Sequence, residues 1–166
     1  LRQISQAGLF PANCRLLDSN EALFNGAGDG SKNLLILAFE SADHDKSDQL
    51  RRALEISKEN DGIYEIPKES DDAHRSGSSG NWRSSFIRAP YLRESFTRRG
   101  IIQDTFETAI TWDKSLSFIQ DIKEQTAKAI FSITGKPSLV TCRITHSYPD
   151  GLCLLYTSPS PRDLRR

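Results

Sequence analysis

The chain contains no methionine, not even at position 1. It has no net charge either: 22 basic side chains balance 22 acidic ones across 166 residues. That balance removes the broad electrostatic footprint that nucleic acid or an anionic lipid surface would require. Cysteine is scarce. Cys14, Cys142 and Cys153 are scattered and form no CxxC pair, which excludes a disulfide framework and makes a reducing compartment the expectation. His44, His74 and His146 share no metal-ligand spacing, so no metal centre is expected, and His146 reads as a surface histidine. No apolar run approaches the roughly 20 residues needed to span a bilayer; the densest is Leu34–Phe39. What remains, 37% apolar and 27% charged, fits one soluble domain in the usual range of roughly 100–200 residues.

The missing methionine, and a start at Leu1-Arg2-Gln3-Ile4-Ser5 that lacks a signal-peptide layout, predict a fragment of a longer protein. From Leu152 the chain abandons periodic patterning and resembles a peptide translated from a sequencing adapter. Residues 1–151 are therefore read as the domain, and Leu152–Arg166 as a tail outside the fold.

Leu34–Phe39 is short, unbroken and apolar after a glycine-rich turn, which predicts a buried strand. Ser47 to Glu59 has helical spacing, with Leu50, Ala53, Leu54 and Ser57 on one stripe and Gly62 placed to end the helix. Ile63–Ile66 reads as a second strand stopped by Pro67, and Pro67–Asn81 as a mobile polar loop. Trp82–Thr97 reads as helical, interrupted before Pro90 because the residue preceding proline avoids the helical region. Thr105–Thr111 alternates as a strand. Asp113 is placed to cap a helix running to about Ile133, with Leu116, Ile119, Ile122, Ala127 and Ile130 inward; Gly135 ends it. Ser138–His146 closes the second unit as a strand. Two strand–helix–strand units predict an α+β, ferredoxin-like split βαβ sandwich: a largely antiparallel sheet with helices on one face.

Gly26-Ala27-Gly28-Asp29-Gly30 superficially resembles a phosphate-cradling loop, but a strand follows it where such a loop needs a helix, so it reads as a turn. Arg15 differs from the other basic residues because apolar neighbours flank it in Asn13-Cys14-Arg15-Leu16-Leu17-Asp18. A guanidinium so placed requires an anion, either a carboxylate such as Asp18 or a ligand's phosphate. Arg88, Arg93, Arg98 and Arg99 lie among Phe86, Tyr91 and Phe96, read as a solvated basic face beside a buried aromatic stripe.

Several segments resemble one family. They are Cys14–Asp18, Leu34–Glu40, Trp82-Arg83 through Tyr91-Leu92-Arg93-Glu94, Asp104–Asp113, Thr141–Thr145 and Tyr148–Gly151. Together they resemble the C-terminal, substrate-side cap domain of FAD-linked oxidases of the vanillyl-alcohol-oxidase type. The nearest branch is that of alkyldihydroxyacetonephosphate synthases and their bacterial relatives. The Phe106-Glu107-Thr108…Trp112-Asp113 block and the Thr141-Cys142-Arg143 block are the specific parts.

The resemblance implies a ferredoxin-like cap over the reactive edge of FAD, the cofactor being held mostly by a domain upstream of this chain. It implies an active-site role for Arg15 and a substrate-binding role, toward a phosphate, for Arg93, with Thr108 and Trp112 near the pocket. It further implies exchange of the acyl group of acyl-dihydroxyacetone phosphate for a long-chain alcohol, in ether-lipid synthesis. The full protein would then have a lipid-phosphate substrate, a homodimeric state and a peripheral membrane contact. Its compartment would be the cytoplasm in a bacterium or the peroxisome in a eukaryote. Such a fragment alone is expected to be inactive.

One departure concerns the family's catalytic tyrosine, whose place falls on Leu155, with Tyr156 one position late. A one-residue slip on a strand reverses the side chain's face, so Tyr156 does not inherit the role. The family's downstream histidine cluster lies beyond this chain. Two other readings fit the residues: an FAD-dependent dehydrogenase of 2-hydroxy acids such as D-lactate or glycolate, with arginine on a carboxylate, and a non-catalytic ferredoxin-like binding module.

Overall fold

In a computed structural model of the chain, residues 1–64, 66 and 77–161 are described, the side chains of 79, 160 and 161 excepted. Five strands form one antiparallel sheet: β1 (Asn13–Leu17), β2 (Leu34–Ala38), β3 (Ile101–Thr111), β4 (Thr141–Ser147) and β5 (Gly151–Pro161), in the order β2-β1-β4-β5-β3. The helices are α1 (Arg2–Gln6), α2 (Ser19–Phe24), α3 (Ser47–Glu59), α4 (Gly77–Arg98) and α5 (Ser115–Thr134). The α+β class with an antiparallel sheet agrees with the patterning.

Strand alternation splits the sheet into two faces. Cys14, Leu16, Leu35, Leu37, Cys142, Ile144, Leu152, Leu154 and Tyr156 share one face. There they pack against Ile4 of α1, Ala53 and Ile56 of α3, and Phe118, Ile119, Ile122 and Ala127 of α5. On the other face Leu17 and Ile36 pack with Ala22 of α2, Ala27 of the following turn and Trp82 of α4. That turn, Gly26 to Gly30, joins α2 to β2; Gly26 and Gly30 have φ of 63° and 84°.

Several expectations are corrected. The segment from Leu152 is not outside the fold: Leu152–Pro161 belongs to β5, the strand that joins β4 to β3. Leu152, Leu154 and Tyr156 face one side and Leu155 and Thr157 the other, and all five are buried, so the strand lacks the polar–apolar alternation of a half-exposed one. Residues 162–166 lie outside the described part.

Pro90 does not interrupt α4, which runs unbroken from Gly77 to Arg98. An interior proline removes one helical hydrogen bond and costs about 3 kcal/mol. Tertiary anchoring offsets that cost at the start of the helix. Asn81 Nδ2 donates to Gly26 O at 3.0 Å and Ser85 Oγ donates to Asn25 O at 2.6 Å, beside the buried Trp82. The expected loop at Pro67–Asn81 is therefore helical over residues 77–81, and residues 67–76 lie outside the described part. Phe86, Ile87, Tyr91 and Leu92 are exposed, not a buried stripe.

Ile63, Tyr64 and Ile66 form no strand and are exposed; Glu65 lies outside the described residues. After α3 the left-handed residue is Asp61, with φ 60°. Gly62 serves a different need: a Cβ there would meet Ser57 O at 2.6 Å. Inside α3 Ala53 and Ile56 are the buried positions. Asp113 caps no helix; it sits in a 3₁₀ turn, Trp112–Lys114, and α5 starts behind it at Ser115. Leu116 is exposed and Phe118 takes the inward place. Gly135, with φ 66°, does end α5, its N–H donating to Phe131 O at 2.8 Å.

Candidate functional site

The open question on the sheet is where Arg15 finds an anion. Its neighbours Cys14 and Leu16 face the core formed with α1, α3 and α5, so alternation sends Arg15 to the face that carries Leu17. The residue is half-buried, and no hydrogen bond or ion pair to its guanidinium is formed among the described residues. Asp18 is not its partner. That carboxylate caps α2 by accepting from Glu21 N at 2.7 Å, accepts from Cys142 N at 2.8 Å and receives Lys123 Nζ at 2.7 Å.

A second arginine occupies the same face. Register pairs Leu17 with Arg143, Arg143 with Leu155, and Leu155 with Glu107, one row running across four strands. Arg143 has a partner on each of two elements: Nη1 lies 2.8 Å from Glu21 Oε1, and its guanidinium carbon sits 5.2 Å from the ring centroid of Trp82. Thr141 Oγ1 donates to the other oxygen of Glu21. Glu21 is only 3% exposed, so these donors satisfy a carboxylate that burial alone would penalise. Thr141 and Arg143 belong to a block that carries the family resemblance, but nothing in the sequence joins them to Glu21. The block's signal is the polar alternation of Thr141, Arg143 and Thr145 against Cys142 and Ile144, which marks a strand face that meets charge.

Tyr156 lies on the opposite, covered face. It is completely buried, pairs in register with Phe106 and stacks on that ring at 5.0 Å between centroids. Its hydroxyl is buried without a well-formed hydrogen bond. Burial, then the adjacent Cys142, pushes its titration upward, and burial followed by the Asp18 charge pushes the Cys142 thiol up to about 12. Leu155, by contrast, shares the row with Arg143.

Thr108 pairs in register with Leu154 and so belongs to the covered face. Trp112 packs against the core beneath α5 and donates Nε1–H to Tyr148 O at 2.8 Å. Neither shares the face of Arg15. Arg93 is exposed on α4, an element separate from β1. His44 and His146 are exposed, His74 lies outside the described residues, and no group of metal-ligating side chains forms among the described residues. No described helix is long and apolar enough to cross a membrane.

Chemically, the sheet face carries the Arg15 guanidinium, unengaged among the described residues, and that of Arg143, which a buried carboxylate neutralises. A fixed, always-charged fork of this kind suits a phosphate or carboxylate.

Comparison with known proteins gives the chain its relatives. An alkyldihydroxyacetonephosphate synthase from Caenorhabditis elegans is 38% identical over 78 residues, covering 45% of this chain and 13% of that protein. Two solved structures titled as alkyldihydroxyacetonephosphate synthase superpose over 98% of the chain at TM-scores of 0.77 and 0.75, each with 18% identity. The chain spans 34% and 32% of those two, about a third of their length, and at that identity they speak for the fold alone. The family described as FAD linked oxidases, C-terminal domain, matches residues 1–164, which includes all of β5. The chain belongs to the C-terminal domain family of FAD-linked oxidases.

Proposed function

We propose that this domain is the substrate-facing part of an FAD-dependent alkyldihydroxyacetonephosphate synthase-like enzyme. Such an enzyme exchanges the acyl group of acyl-dihydroxyacetone phosphate for a long-chain alcohol. The observation that carries the reading is Arg15: half-buried, on a sheet face, and unpaired among the described residues. The 38% identity to an alkyldihydroxyacetonephosphate synthase supports the substrate class.

The residues present fit one edge of a flavin site and not the whole of it. The glycine-rich turn cannot cradle FAD phosphates: a strand follows it, and at Gly28 and Gly30 an added Cβ would meet Ala22 and Leu23 at 3.3 and 3.2 Å. What the chain contributes is Arg15, which would hold an anionic group against the flavin's reactive edge. FAD, when bound by the rest of such an enzyme, supplies an electron sink. Arg93 on α4 would take the substrate phosphate. Arg15, fixed between two core-facing neighbours, would orient the reacting end. Tyr156 moves no proton on this face, because Leu155 occupies the position in register with Arg143.

Titrating the isotope-labelled chain with dihydroxyacetone phosphate, and separately with D-lactate and glycolate, tests the reading by NMR. Dihydroxyacetone phosphate should shift the Arg15 and Arg93 guanidinium resonances, and Arg15→Leu should abolish the response. A response to the hydroxy acids with none to the phosphate would replace the synthase reading with the dehydrogenase one.

A further inference from the structure

Three elements that are distant in sequence meet at Arg143. Glu21 of α2 accepts from its Nη1 at 2.8 Å, and its guanidinium carbon lies over the Trp82 ring of α4, 5.2 Å from the centroid. The Glu21 side chain is 4% exposed and that of Arg143 is 15% exposed, so solvent screens this contact little. Beside it, Asn81 and Ser85 bind the backbone of Gly26 and Asn25, and Trp82 packs with Leu17, Ala22, Ala27 and Ile36. All these attachments involve residues 81–85. The rest of α4 carries exposed Phe86, Ile87, Tyr91 and Leu92, with Arg93 among them. Side chains thus fasten the helix near its start, and at its other end it passes through Arg99-Gly100 into β3, which it also contacts.

We propose that Arg143 is a positioning residue. Held by Glu21, its cationic head lies over the Trp82 ring, and this contact, the seat of α4, together with the join to β3 at the other end of the helix, sets where α4 carries Arg93 relative to Arg15 on the sheet. A guanidinium can pair with a carboxylate along its edge and stack on an indole at the same time; a lysine ammonium satisfies the first requirement and serves the second poorly. The assignment rests on the functional reading only for the role of Arg93; the seating of α4 is independent of it.

Hydrogen exchange of the whole chain, read by mass spectrometry, tests both parts in wild type, Arg143→Lys, Arg143→Gln and Trp82→Leu. Exchange over residues 82–98 should rise roughly tenfold in all three variants, while α5 and β5 stay at wild-type rates. Arg143→Lys is the informative variant, since it keeps the charge opposite Glu21 and is the one most certain to fold. Inorganic phosphate is the probe for positioning: it should slow exchange around Arg93 in wild type, with a midpoint at least several-fold higher in Arg143→Lys. Exchange that rises equally in α4, α5 and β5, or in none of them, overturns the seat. A phosphate midpoint unchanged in a variant with a loosened α4 overturns the positioning role. Loosening of α4 with no phosphate effect in any chain upholds the seat and overturns the functional reading instead.

Discussion

Glu21 and Arg143 stand 2.8 Å apart although 122 residues separate them in the chain. The pair joins the first helix after β1 to a central strand, and Thr141 adds a hydroxyl to the same carboxylate. Breaking a buried pair from one side leaves an uncompensated charge, at a cost of about 3–5 kcal/mol. Glu21→Ala should therefore lower the denaturation midpoint far more than Arg51→Ala. Arg51 pairs with Asp48 and Glu55 at the surface of α3, where water and salt screen such pairs and they add little to stability. Urea titrations of the two variants measure the difference.

Removing the segment from Leu152 onward should abolish the fold. β5 supplies both partners of the sheet's middle, pairing Thr141 with Thr157 on one side and Phe106 with Tyr156 on the other. A chain ending at Gly151 would leave β3 without its partner strand and expose the face packed on α5. Loss of dispersed amide resonances and of far-ultraviolet sheet signal is the expected result.

Tyr156→Phe should leave stability unchanged or raise it slightly, because the hydroxyl is buried and makes no well-formed bond. Tyr156→Ala should cost about 3–5 kcal/mol, the usual range for emptying an aromatic site in a core. If the substrate reading holds, neither substitution should alter ligand shifts at Arg15, since Tyr156 faces the other way.

Alkaline pH should unfold the domain through Cys142 and Tyr156. Both titrate higher in the fold than in a solvated chain, the thiol rising from 9.0 to about 12. Above the unfolded value the unfolded chain sheds a proton that the folded one retains, so ∂ΔG/∂pH is negative there. The stability is complete below about pH 9 and is lost as pH climbs toward about 12. Cys142→Val combined with Tyr156→Phe should flatten that decline, as followed by thermal melts across the range.

How much of this was legible in the sequence depended on whether a local signal competed with a tertiary one. α3 and the end of α5 at Gly135 were legible because a helical stripe and a left-handed glycine act within one turn. Pro90 misled because its local penalty is real, while the anchors that offset it, Asn81, Trp82 and Ser85, bind residues about 60 positions away. Asp113 misled because a capping residue is equally at home in the 3₁₀ turn that precedes a helix. β5 was missed because side chains on both of its faces are buried, which leaves no polar–apolar alternation to read. Arg15 was visible from its apolar neighbours, whereas Arg143, Glu21 and Trp82 carry no mutual spacing and meet only through register.

The place of β5 also governs the order in which the molecule can be built. It lies between β4 and β3 in the sheet yet follows every other strand in the chain. On a ribosome, β3 and β4 emerge with no strand between them, and the sheet cannot close until synthesis has passed Pro161. Until that moment the α5-facing side of the nascent sheet lacks Tyr156, the largest of the fully buried side chains. The edges of β3 and β4 that β5 covers therefore stay open to chaperones and proteases until β5 enters the sheet.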